Sequence, residues 1–281
     1  MLEPTSWAAP ARPGSLTLSP SRLHDILTCP RQYFLRREAR ADPPRGSATI
    51  LGSVIHAVAE RAGAGELTAL SAEELLDEVW ADIPFPAAWL SASERADADA
   101  AVERFLAWQK GHEHANLVGV EVPFDVRVEL EGGPVTLRGT VDRLERTPSG
   151  DLRVIDFKTG RSTPTRDEVA AMPQIGVYQL AIEAGAFASV APGASSAGAS
   201  LVYLRHESTD GWPKEFRQPS LSEVPHLTQD PAELVYPTWV HHRVAEARDV
   251  LAAGRFEARP GPACRYCPVR SSCPASSGQV V

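Results

Sequence analysis

Residues Gly139–Gly160 read GTVDRLERTPSGDLRVIDFKTG. Two segments of strand character, Thr136–Glu145 and Leu152–Phe157, flank Thr147-Pro148-Ser149-Gly150, whose proline and glycine are turn formers, so a β-hairpin is expected here. Such a hairpin brings Asp142 near Asp156 and Lys158. Side chains alternate along a strand, so Asp156 and Lys158, two apart, point to one face. The run Val154-Ile155-Asp156-Phe157 is apolar on both faces around its aspartate, as in a buried strand, and a buried carboxylate needs a partner. Two carboxylates beside an ammonium form a set that holds a hard cation such as Mg²⁺ and neutralises charge on a phosphoryl group, which is phosphodiester chemistry. The chain has only three lysines, at 110, 158 and 214, against 25 arginines. A lysine kept in such a composition points to a need for a compact ammonium.

Composition bounds the setting. The 281 residues suffice for one large domain or two small ones with a real core. No apolar run is long enough to span a bilayer, and the first residues lack the charged and apolar regions of a signal peptide, so the chain is expected to be cytoplasmic, without membrane association. The net charge of −8 excludes a protein that coats nucleic acid by bulk electrostatics, but not an enzyme that meets nucleic acid locally through a metal site.

Residues 1–15, rich in proline and alanine, are expected to be a disordered lead, with one domain over 16–281. Order is expected to start with Ser19 as N-cap and Pro20 as first helical residue, with Leu23, Ile26 and Leu27 as the apolar face. Arg31, Arg36 and Arg37 on the next helix make a basic patch suited to phosphate contacts or to a solvated face. After a Pro/Gly loop at 42–46, Leu51, Val54, Ile55 and Val58 mark a helix with His56 beside the stripe, a position that by itself reads as a satisfied core histidine. Two further helices, Ala72–Trp80 and Glu94–Lys110, make a helical insert of about 66–115. Alternation from Val118 to Val128 predicts a half-buried antiparallel strand, with Glu121 on its polar side as either an exposed residue or an added site carboxylate. Past Lys158, Asp167–Ala184 is expected to be helical around Pro173, with Gln174 and Tyr178 four apart on one face. Gly185–Ala199 has the composition of a flexible loop, Ser200–Arg205 and Glu215–Gln218 of strands, and Ala232–Gly254 of a last helix kinked at Pro237. His241 and His242 are adjacent, diverge on a helix and receive no role.

Cys264, Cys267 and Cys273 lie within ten residues of one another, while Cys29 stands alone near the N-terminus. In a cytosolic protein this favours a metal centre over disulfides, and it would fasten the two ends of the domain together. Four thiolates suit zinc or an iron–sulfur cluster; spacing does not separate them.

Taken in order, LSPSRLHDILTCPRQYF, LGSVIHAVAE, the Glu121 strand, GTVDRLE, VIDFKTG, PQIGVYQL and CRYCPVRSSC cover most of the chain, and the set resembles the RecB-like branch of the PD-(D/E)XK nuclease superfamily. The similarity is to its iron–sulfur members, related to the AddB nuclease domain and to CRISPR-associated nucleases. It implies an α/β (α+β) core with a central mixed sheet flanked by helices. It implies His56, Asp142 and Asp156 as Mg²⁺ or Mn²⁺ ligands with the Phe157 carbonyl as a fourth contact, Glu121 as a further candidate carboxylate, and Lys158 as catalytic lysine. Gln174 and Tyr178 match the family's Q-x-x-x-Y element. Cys29, Cys264, Cys267 and Cys273 would ligate a [4Fe–4S] cluster, with Zn²⁺ as the alternative. Asp156 stands where many members have glutamate. The function implied is a metal-dependent DNA nuclease on single strands or duplex ends in repair or recombination, with a helicase as candidate partner. The alternative is a non-catalytic DNA-binding scaffold for a helicase.

Overall fold

The computed structural model describes residues 16–41, 47–63, 69–81, 83, 85, 87–112 and 116–276. The expected lead at 1–15, the loop at 42–46 and parts of the expected insert lie outside the described residues. The elements in order are β1 (Leu16–Leu18), α1 (Pro20–Thr28), α2 (Pro30–Tyr33) with a π-turn (Phe34–Glu38), α3 (Ser47–Gly63), α4 (Ala69–Ala81), α5 (Ala88–Gly111), β2 (Asn116–Val128) and β3 (Val135–Arg146). They continue as β4 (Leu152–Lys158), α6 (Arg166–Ala170), α7 (Pro173–Glu183), β5 (Ser196–Glu207), β6 (Pro213–Gln218), α8 (Pro231–Leu234) and α9 (Trp239–Ala253), followed by three short 3₁₀ turns from Pro262 to Ser276. No described helix is long and apolar enough to cross a membrane.

The chain divides into two compact units, one of residues 1–44, 125–139 and 225–281 and one of residues 45–124 and 140–224. The second unit is organised on a mixed sheet in the order β3-β4-β5-β6. The expected hairpin is present: β3 and β4 are antiparallel, with Arg143 opposite Ile155 and Leu144 opposite Val154. β4 and β5 are parallel and β5 and β6 antiparallel. One face of β4 and β5 supplies Ile155, Phe157, Val202 and Leu204 to a buried cluster with Val54, Ile55 and Val58 of α3, Leu76 of α4 and Phe105 and Trp108 of α5. Phe157 meets Phe105 and Trp108 edge-on, each at 5.2 Å between centroids, an arrangement that suits the ring quadrupoles. The opposite face is covered by α6 and α7, so the unit is a helix–sheet–helix sandwich.

Two expected boundaries move, each because of a proline. The segment expected as one helix over Asp167–Ala184 is α6 and α7, the second restarting at Pro173, which has no N–H to continue the first. Likewise Pro237 separates α8 from α9 rather than kinking one helix, while Gly254 closes α9 in the left-handed region, φ 62°. The third difference is physical rather than local. The end of the small-residue stretch expected to be a loop is the start of the central strand β5, beginning at Ser196. Its small side chains answer crowding: Gly198 sits at φ +91°, and a Cβ there would lie 2.5 Å from the Gln218 carbonyl oxygen. Ser196 is fastened through Oγ to Gln179 Oε1 at 3.0 Å and through N–H to Glu183 Oε1 at 2.7 Å.

The first unit packs α1 against α9. Ser19 caps α1, accepting from the Arg22 N–H at 3.2 Å, with Pro20 in the first turn as expected. Phe256 stacks on Phe34, centroids 4.8 Å apart, and lies 6.1 Å from Tyr33. Within this unit β1 pairs in parallel with the first residues of β3, Leu16 opposite Val135.

Candidate active site and cysteine cavity

β4 ends with Asp156 and Lys158 on the face covered by α7, because the alternate residues Ile155 and Phe157 are drawn into the opposite core. The carboxyl end of a parallel strand is where open α/β sheets present ligands. Lys158 Nζ lies 2.6 Å from Asp156 Oδ2. The β3–β4 register places Asp142 on the next rung from the Arg143–Ile155 pair, and its Oδ2 accepts the Phe157 N–H at 2.8 Å. From α3, His56 turns Nδ1 to within 3.0 Å of Glu121 Oε1 and 3.5 Å of Asp142 Oδ1. From α7, the Tyr178 hydroxyl donates to Asp156 Oδ1 at 3.4 Å, and the Gln174 side chain bonds Tyr178. Phe124 of β2 meets the Tyr178 ring edge-on at 6.0 Å.

Glu121 reaches His56 by an unusual backbone. It is one of two non-glycine residues among those described with positive φ, at +46°. Left-handed backbone is costly for a side-chain-bearing residue in a strand and tends to persist where the surroundings over-determine it. Strict alternation could not place this carboxylate because the strand departs from regular geometry at that residue.

Buried negative charge sets the electrostatics. Asp142 is pushed up to about 7, first by burial and then by the charge of Asp156. The hydrogen bond to Glu121 raises His56 above its ordinary value against the opposing effect of burial, with Asp142 adding to the rise. Burial works to lower the Lys158 ammonium, but Asp156 and then Asp142 hold it above the ordinary lysine value. Burial and the two aspartates push Tyr178 up, so its hydroxyl stays a donor.

The donor set fits a hard divalent cation. One ligand atom each from His56, Glu121 and Asp142 lie within 4.8 Å of one another. Asp156 Oδ2 is buried, and the Lys158 ammonium is its close partner, at 2.6 Å. Oxygen-rich ligation with one imidazole matches Mg²⁺ or Mn²⁺ chemistry, and a cation there would relieve the carboxylate repulsion that holds a proton on Asp142.

All four cysteines belong to the first unit, where they form no disulfide and line one cavity of about 500 Å³ together with Arg31, Arg259 and Arg270. The Arg259 N–H points at Cys29 Sγ at 3.5 Å and the Gly261 N–H at Cys264 Sγ at 3.3 Å. Backbone donors to sulfur suit ligated thiolates. Of the expected phosphate-contacting arginines, Arg37 is paired with Asp25 at 3.1 Å, Arg31 lines the cysteine cavity, and Arg36 lies on the π-turn. None of the three is in the unit that carries His56 and Asp156.

A family profile described as the PD-(D/E)XK nuclease superfamily matches residues 17–274, a span that contains every one of these side chains. The chain belongs to the PD-(D/E)XK nuclease superfamily. It is 30% identical over 197 residues to an ATP-dependent helicase/deoxyribonuclease subunit of Carboxydothermus hydrogenoformans, a match covering 55% of this chain and 17% of that relative. This chain therefore corresponds to a small part of the relative's length. The solved structure of SSO0001 superposes over 94% of this chain and 89% of that one with TM-score 0.46 and 15% identity, too slight a likeness to add to the assignment.

Two residues of the same sheet face escape sequence reasoning about the site. Tyr203 of β5 stands opposite Lys158, and Lys214 of β6 opposite Tyr203. Only the strand register, which the sequence does not state, sets them in line with the site.

Proposed function

We propose that the chain is a metal-dependent deoxyribonuclease hydrolysing phosphodiester bonds of single-stranded DNA or duplex ends, in repair or recombination. The observation that carries this reading is the convergence of His56, Asp142, Asp156 and Lys158, from one helix and two strands, around the end of β4.

His56, Asp142 and Asp156 would hold a divalent cation, which would supply positive charge to the scissile phosphate and acidify a water at that site. The residues do the positioning. The Phe157 N–H holds Asp142 through Oδ2. Tyr178 takes Asp156 Oδ1, which leaves Oδ2 to Lys158. Glu121 fixes the imidazole of His56. Lys158, kept protonated by the aspartates, donates to the attacking water or to a phosphate oxygen. The water oxygen bonds to phosphorus and gives up one proton to solvent, the ester P–O bond breaks, and the leaving oxygen takes up one proton from solvent, so that one water is consumed.

End-labelled single- and double-stranded DNA incubated with the protein in Mg²⁺ or Mn²⁺, and then in EDTA, tests this directly. Metal-dependent cleavage that is lost in Asp156→Ala and in Lys158→Ala is the expected result. Cleavage at wild-type rate by either variant would remove the site assignment, and binding without cleavage by the wild type would favour a scaffold.

In the same reading the four thiols hold a [4Fe–4S] cluster, supported by the shared cavity and the N–H donors to sulfur. Anaerobic purification followed by iron, sulfide and zinc analysis decides it, zinc alone being the contrary outcome. A helicase partner belongs to the proposal through the name of the relative from Carboxydothermus.

A further inference from the structure

The third of the chain's lysines has no part in the site described above. Cross-strand register puts Lys158 opposite Tyr203 on β4–β5, and Tyr203 opposite Lys214 on β5–β6. Directly opposed residues point to the same face, so the two ammonium groups lie in one row on the Asp156 face, separated by two strand spacings, about 10 Å. Tyr203, 7% exposed, fills the space between them, with burial raising its hydroxyl's pKa so that it stays a donor.

Lys214 is held but not neutralised. Its Nζ sits over the Phe216 ring, 4.9 Å from the centroid, and reaches Thr163 Oγ1 at 3.4 Å, with no described carboxylate in ion-pair range. Neighbouring cations are engaged otherwise: Arg161 and Arg205 pair with Glu94, and Arg217 with Glu215 at 2.9 Å. Glu168, whose charge acts on Tyr203, closes the α6 cap on Thr165. A preorganised, half-buried ammonium in line with a proposed catalytic lysine has the chemistry of a phosphate contact.

We propose that Lys214, with Thr163 beside it, binds a non-scissile phosphate of the nucleic-acid strand and fixes its path across the sheet from the scissile phosphate at Lys158. This rests on the nuclease reading. Lys214 is a positioning residue and touches no reacting atom.

The test compares wild type with Lys214→Gln, Lys214→Met, which keeps the stem on Phe216, and Lys214→Arg. Binding of single-stranded DNA in EDTA is measured across salt. Loss of one phosphate contact should flatten the log K against log salt slope by about 0.7 in the Gln and Met variants, with Arg retaining it. In Mg²⁺, KM should rise about tenfold with kcat changed by less than threefold, the pattern of a contact made equally in ground and transition states. Oligonucleotides carrying a single neutral methylphosphonate at successive positions then locate the contact. One position should raise KM in wild type and have no further effect in Lys214→Gln. An unchanged salt slope and KM in both neutral variants, or additive penalties at every position, would overturn the proposal. Absence of cleavage by the wild type would instead overturn the nuclease reading, and the slope measurement would still decide whether Lys214 binds phosphate.

Discussion

Asp142→Asn is expected to stabilise the metal-free protein at alkaline pH while abolishing its response to divalent cation. Asp142 is 6% exposed and its pKa, ordinarily 3.8, is raised to about 7 by burial and by Asp156. A folded-state value above the unfolded one means that the protonated group's contribution is fully present below about pH 4 and is lost as pH rises through about 7. Three units correspond to about 4 kcal/mol against the ionised chain at pH 8. Asparagine removes the charge and keeps a carbonyl oxygen for the Phe157 N–H, at a loss of about 1 kcal/mol for the charge-assisted part of that bond, leaving a net gain of about 3 kcal/mol. Urea unfolding in EDTA at pH 8 and at pH 4 measures it. The gain should be near its full value at pH 8 and should have nearly vanished at pH 4. Millimolar Mg²⁺ should raise wild-type stability at pH 8 and leave Asp142→Asn unchanged. A variant less stable than wild type in EDTA at pH 8 would refute the reasoning, because Asp142 would then be a net stabilising anion rather than a ligand kept waiting for its cation.

Two further outcomes follow from single contacts. In Glu121→Gln, the imidazole of His56 keeps a carbonyl acceptor but loses the negative charge on the acceptor that does most to raise it, so its NMR titration midpoint in metal-free protein should fall, and calorimetric Mn²⁺ affinity should drop about 10- to 100-fold; an unmoved midpoint would mean that the pair does not form in solution. Gly198→Ala forces a side chain into left-handed backbone and onto the Gln218 carbonyl, and should lower stability by about 3 kcal/mol in urea melts, whereas a neutral effect would show that β5 can shift there.

What can be read from the chain alone divides by the range of the interaction that sets it. The hairpin is legible because turn chemistry and strand alternation are local, and Asp142, Asp156 and Lys158 come with it. His56 is not: its own helix offers only an apolar stripe, and its partner Glu121 lies 65 residues away. Family resemblance, rather than periodicity, puts it in the set. Glu121 is undecidable by alternation because its positive φ breaks the count. The start of β5 reads as a loop because alanine, glycine and serine are chosen both where a chain is loose and where a strand is crowded, and composition does not distinguish these cases. Lys214 is conspicuous as one of three lysines but has no neighbours until register places Tyr203 beside it.

Charge distribution gives that row of lysines its significance. The unit that holds the candidate site has fourteen lysines and arginines against twenty-four aspartates and glutamates, while the other has fourteen against twelve. A unit with a net charge of −10 repels a polyanion at long range, so in the proposed reading bulk steering would not bring DNA to Asp156. Local cations must do so, and several arginines of that unit are already paired with carboxylates, as Arg95, Arg104, Arg161 and Arg205 are. Lys158 is itself paired with Asp156. In the proposed reading, a divalent cation held by these carboxylates would offset the aspartates and free the lysine to face phosphate. In that reading a metal ion would be as much a condition for substrate entry as for bond cleavage, and Lys214, which has no described carboxylate to release, would be the contact already in place when the strand arrives.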